Sequence, residues 1–64
     1  MQALRRLRQQ HGWTQDTLAR MAGCGRSFLS EIETGQANPT QAVLERLAQA
    51  LDVPVSALFD DSPP

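Results

Sequence analysis

Apolar positions recur along the chain at helical spacing, and no stretch shows the sustained alternation of a strand. Leu4, Leu7 and His11 fall at i, i+3 and i+7 with Ala3 beside them, predicting a first helix over about residues 2–11. Gly12 supplies its stop. Thr14 is a good N-cap for a second helix over about 15–22, where Asp16 suits the positive end of the dipole. Leu18, Ala19 and Ala22 form its inner face, and Trp13 is expected to anchor it to the first helix. Gly23-Cys24-Gly25 is a tight break. A third helix over about 26–33 turns Leu29 and Ile32 inward, and Gly35 ends it. After the loop Gln36-Ala37-Asn38-Pro39, Thr40 caps a fourth helix over about 41–51, with Val43, Leu44, Leu47, Ala48 and Leu51 on the inner stripe. Asp52-Val53-Pro54 breaks it, and a short last turn over about 55–59 buries Val55, Leu58 or Phe59. The expected domain is residues 1–59, with a polar, proline-rich tail over 60–64 that frays.

Size and composition narrow the function. Sixty-four residues hold one small core and leave no room for an effector domain, so regulation is expected to act through concentration, dimerisation or a partner protein. The single cysteine excludes an internal disulfide, and His11 and Cys24 alone make no metal site, so neither metal nor cofactor is expected. Apolar runs are too short to span a membrane, and the N-terminal residues lack the apolar region of a signal peptide, so a cytoplasmic protein is expected. The lone histidine has no nucleophile partner in sequence, which argues against an enzyme. The net charge of −1 hides an asymmetry: residues 1–30 carry five arginines and one acid, a balance of +4, whereas residues 31–64 carry one arginine and six acids, a balance of −5. One basic and one acidic face follow, and local positive potential is enough to attract a phosphate backbone.

Two short helices joined by a glycine-containing turn are the sequence form of a helix-turn-helix. Ala19 is small enough for the close helix crossing, Gly23 tolerates the positive φ of the turn, and Leu29 and Ile32 bury the inner face of the second helix. Its outer face carries Arg26, Ser27 and Ser30, which are polar and able to reach base edges. Arginine binds guanine O6 and N7 bidentately, and Gln15 at a helix N-terminus suits a phosphate.

The series Thr14-Gln15-Asp16-Thr17-Leu18-Ala19, Gly23, Leu29-Ser30-Glu31-Ile32-Glu33-Thr34-Gly35, Asn38-Pro39-Thr40 and Leu47-Ala48-Gln49-Ala50-Leu51 is similar to the Cro/CI-type (XRE) helix-turn-helix family. That family includes phage repressors, restriction–modification controllers and antitoxins. The resemblance covers about residues 3–59, and its motifs keep the family's order and spacing. It implies an all-α, phage-repressor-like five-helix bundle whose third helix enters the major groove. It also implies that Gln15 contacts a phosphate and braces the recognition residues. Arg26 and Ser27 would read bases, Arg8 and Glu33 would form an ion pair from helix 1 to the end of helix 3, and Thr34, Gln36 and Asn38 would touch the DNA backbone. Departures from the family pattern are Gly25 in place of a hydroxyl cap, Thr17 in place of a capping-box glutamate, and uncharged Thr34 and Gln36 where cations are common.

The expected DNA-binding set is therefore Thr14, Gln15, Arg26, Ser27, Ser30, Thr34, Gln36 and Asn38. Phe28 either touches a thymine methyl or packs locally. Glu31 faces the DNA side, where it accepts from a cytosine amino group, repels phosphate or does neither. Arg5 and Arg6 are expected in solvent, and Cys24 as a small buried apolar residue rather than a redox sensor. The overall expectation is a transcriptional regulator, a repressor or small autoregulatory controller, bound to double-stranded DNA at a palindromic operator as a homodimer through Val53, Val55, Leu58 and Phe59. The alternative is an antitoxin-like or accessory protein-interaction module with weak DNA binding, whose partner is a protein such as a toxin.

Overall fold

Threonine and glycine set the helix boundaries. In the computed structural model, which describes residues 1–59, the hydroxyl of Thr14 accepts from the Thr17 backbone N–H at 3.1 Å and opens α2 (Gln15–Ala22). Thr40 does the same for α4 (Gln41–Leu51), accepting from Val43 N–H at 3.3 Å. A threonine cap of this kind is worth about 1 kcal/mol. The Thr17 hydroxyl lies 3.0 Å from that of Thr14, so the position that lacks a capping-box glutamate still joins the cap. α2 ends at Gly23, whose φ of +72° lets Cys24 N–H reach back to Ala19 C=O at 2.9 Å. A side chain at Gly23 would meet only the Arg46 guanidinium, at an ordinary contact distance of 3.9 Å, so its φ is what demands glycine. α1 (Gln2–Gln10) and α3 (Arg26–Thr34) complete the set, with Gly25 preceding α3 without a side-chain cap.

The expected bundle of five helices is corrected to four α-helices, and no strand occurs among the described residues. The last element, Val55–Phe59, is a single stretch of 3₁₀ helix. Pro54 starts it, and Ala57 N–H bonds to Pro54 C=O at 3.0 Å, the i to i+3 pattern of the tighter helix. Five residues pinned behind a proline do not extend that turn into an α-helix.

The core joins Leu4 of α1, Leu18 and Ala22 of α2, Leu29 and Ile32 of α3, and Leu44, Leu47 and Leu51 of α4. Leu58 enters the same cluster and is fully buried, because the 3₁₀ turn packs against both α1 and α4. It belongs to the interior of one chain and is removed from the expected dimer surface. His11 is exposed at the C-terminal end of α1, contrary to its place in the inner pattern. Its Nε2 lies 3.2 Å from the Leu51 carbonyl, and its ring stacks on Trp13 with centroids 4.4 Å apart. Trp13 is half-buried and packs against the core. Asp60 to Pro64, the expected frayed tail, lies outside the described residues.

One ion pair crosses the interior. Arg8 Nε donates to Glu33 Oε2 at 2.8 Å and Nη2 to Oε1 at 3.2 Å, while Nη1 donates to the Trp13 carbonyl at 2.8 Å. The two side chains are 11% and 2% exposed. Arg8→Ala leaves the Glu33 charge buried without its cation, which costs about 3–5 kcal/mol. Urea denaturation followed by circular dichroism is expected to show this domain largely unfolded at 25 °C in that variant.

Candidate nucleic-acid interface

α3 has two unlike faces. Leu29, Ile32 and Glu33 point inward, and Ser27, Ser30, Glu31 and Thr34, at i, i+3, i+4 and i+7, form an outward polar stripe opened by Arg26. Against it stands Gln15, the first residue of α2. Gln15, Arg26, Ser27, Ser30 and Glu31 line a polar cleft of about 280 Å³. Arg26 and Ser27 are exposed, and Gln15 and Ser30 half-buried. Four of the eight residues expected at the DNA surface thus meet in one concavity, joined by Glu31, which was outside that set. The signal for Glu31 lay in its spacing, one helical turn beyond Ser27 on the same stripe.

Gln15 is held by the interior ion pair. Its Nε2 donates to Glu33 Oε1 at 3.0 Å, the oxygen that also accepts from Arg8 Nη2. The glutamine therefore braces on Glu33 and not on Arg26. Its amide carbonyl and second N–H remain available to a ligand. Arg26 forms no ion pair or hydrogen bond with another described residue. Arg20 is offset by Asp16 at 3.1 Å on the exposed side of α2, so Arg26 is the cation that lines the cleft.

The remaining expected contacts lie elsewhere. Thr14 is committed to its cap. The Thr34 hydroxyl turns back to the Ser30 and Glu31 carbonyls at 3.1 and 3.2 Å, which uses its only proton and leaves no donor for a phosphate in this rotamer. Gln36 is exposed in the loop after Gly35. Asn38 borders a second, mainly apolar cleft of about 230 Å³, with Met1, Ala37, Pro39, Leu44 and Phe59 among its walls. Phe28 is half-buried and packs on the core, which favours the local-packing reading. Cys24 is also half-buried against the core; burial pushes its thiol up from the usual range, and the nearby Arg46 charge pulls it down by less. No group of three or more His, Cys, Asp or Glu among the described residues is placed to hold a metal ion. No helix among them is long and apolar enough to cross a membrane.

A family model described as helix-turn-helix matches residues 4–58, nearly the whole described chain. The chain belongs to the Cro/CI-type (XRE) helix-turn-helix family. Members similar to this chain are named as transcriptional regulators, not enzymes. The HTH-type transcriptional regulator SutR of Escherichia coli K12 is 41% identical over 61 residues, which is 95% of this chain and 33% of SutR. The XRE chain spans between about a third and somewhat over half the length of the first few curated relatives it matches. Among solved structures, the restriction–modification controller protein C.AhdI from Aeromonas hydrophila superposes with a TM-score of 0.88 at 41% identity, covering 91% of this chain and 88% of that one. The N-terminal DNA-binding domain of SinR from Bacillus subtilis gives 0.87 at 34% identity, covering 98% and 93%.

The geometry separates the two partners of Glu33. Gln15→Ala removes one hydrogen bond but leaves the Arg8–Glu33 pair intact, so it is expected to cost about 1 kcal/mol in urea denaturation, well below the cost of Arg8→Ala.

Proposed function

We propose that this chain is a sequence-specific, DNA-binding transcriptional regulator of the cytoplasm, a repressor or small autoregulatory controller, that lays α3 in the major groove of a palindromic operator as a homodimer. The observation that carries the proposal is Arg26: an exposed, unpaired guanidinium at the N-terminal end of α3, in a cleft whose other walls are hydrogen-bonding groups. Arg26 and Ser27 read base edges, and Ser30 supports them from the same stripe. Gln15, fixed through Glu33, holds a phosphate and sets the register of the helix in the groove. Thr14, Gln36 and Asn38 are proposed as peripheral backbone contacts, and Thr34 joins them only after its hydroxyl rotates away from its own helix. The names of C.AhdI and of the SinR domain, a controller protein and a DNA-binding domain, support the same reading.

Fluorescence anisotropy tests this with a duplex from the region upstream of the protein's own gene, a scrambled duplex, and a salt series. The expected preference for the upstream duplex is about a thousandfold, with log K falling linearly in log salt. Arg26→Ala is expected to erase most of that preference, whereas Gln15→Ala weakens both duplexes to a similar degree. Weak and equal binding of the two duplexes by the wild type counts against autoregulation.

The dimer is proposed to form around Phe59, which is 60% exposed beside the apolar cleft, with the half-buried Val53 and Val55 nearby in the chain. A two-fold arrangement would set the two α3 helices about 34–36 Å apart, one turn of the duplex. Sedimentation at high micromolar concentration is expected to give a dimer that Phe59→Ala converts to a monomer; a wild-type monomer contradicts the proposal. That same exposed aromatic favours the second reading, an antitoxin-like module whose apolar cleft takes a different protein such as a toxin. Its signature is a tight heteromeric complex together with indiscriminate DNA binding.

A further inference from the structure

Glu31 is the member of the α3 cleft whose charge opposes DNA. Its side chain is exposed, and its carboxylate makes no hydrogen bond or ion pair with another described residue. Arg26 lines the same cleft five positions earlier, and the two opposite charges leave each other unpaired. A carboxylate carried into the major groove loses water and gains repulsion from phosphate, a cost paid on every sequence that offers it no donor.

Base edges in the major groove present two amino donors. Adenine N6 sits beside the N7 acceptor, which repels a carboxylate, whereas cytosine N4 is the donor its base presents there. The geometry points to Glu31 as a specificity-determining residue that accepts from the N4 amino group of a cytosine. Arg26 and Glu31 are separated by about 7.5 Å along the helix axis. The cytosine therefore falls within about two base pairs of the guanine taken by Arg26, given a rise of about 3.4 Å per base. Arg26 attracts DNA of any sequence and rewards guanine; Glu31 rejects sequences that lack its cytosine. This inference rests on the DNA-reading role proposed above.

Selection from a random duplex library, run in parallel on the wild type, Glu31→Ala, Glu31→Gln and Arg26→Ala, separates the two claims. The wild type is expected to fix a cytosine that Glu31→Ala no longer selects, while the Arg26-dependent guanine survives in that variant. Glu31→Gln is expected to move the preference at that position toward adenine, which glutamine binds through N6 and N7. By anisotropy, replacing the cytosine weakens the wild type by about five- to a hundredfold and Glu31→Ala by less than about twofold. An unchanged selected sequence in Glu31→Ala overturns the inference, as does a uniform gain in affinity on all duplexes, which marks repulsion without readout. A wild type that selects no sequence removes the DNA-reading role itself, and this inference with it. Thermal melts of both Glu31 variants within a few degrees of the wild type confirm that folding is not the cause.

Discussion

Glu33 places a carboxylate inside a chain of only 64 residues, and three helices are arranged around it. The guanidinium of α1 meets it with two hydrogen bonds, the amide at the start of α2 adds a third, and the third guanidinium nitrogen holds the loop carbonyl of Trp13. Burying a charge is costly unless its oxygens are fully engaged, and no buried side-chain polar atom among the described residues is left without a partner. A chain this short buries only about 60% of the surface it exposes when unfolded, so its apolar core has little stability to spare for an error at this point.

The same interaction connects folding to the outer surface. Glu33 is on the inward face of α3, and Ser30 and Glu31 precede it on the outward side, so fixing the carboxylate fixes how the polar stripe is rotated. Gln15 bonds to Glu33 from one side and lines the cleft on the other. Formal net charge is a poor guide to such a surface. The chain is acidic overall, yet its cleft offers an unpaired arginine, and the acidic excess lies beyond residue 30.

Most helix boundaries were legible because their signals are local. Thr14, Thr40, Gly23 and Gly35 each act within a few residues of their own position, and the helices start or stop beside them. The Arg8–Glu33 pair followed from the family resemblance and stands in the structure. What escaped depends on distant parts of the chain. Leu58 looks like spare apolar surface until the 3₁₀ turn folds onto α1 and α4. His11 was legible as the end of the first helix, but the Leu51 carbonyl that α4 offers it lies 40 residues away. The bond from Gln15 to Glu33 spans eighteen residues, and no local pattern encodes it. Thr34 carries a donor in sequence that its own helix consumes in the structure.

In the proposed function, a rigid frame pinned at Glu33 presents the α3 cleft to DNA. The most direct test is an NMR titration of the ¹⁵N-labelled protein with a selected duplex, following backbone amides together with the Arg8 and Arg26 Nε–H signals. Large shifts are expected over Gln15 and Arg26 to Glu31 and at Arg26 Nε–H, with Arg8 Nε–H unmoved because Glu33 keeps it. Shifts confined to Ala37, Leu44 and Phe59 around the apolar cleft, with the α3 stripe silent, would contradict it.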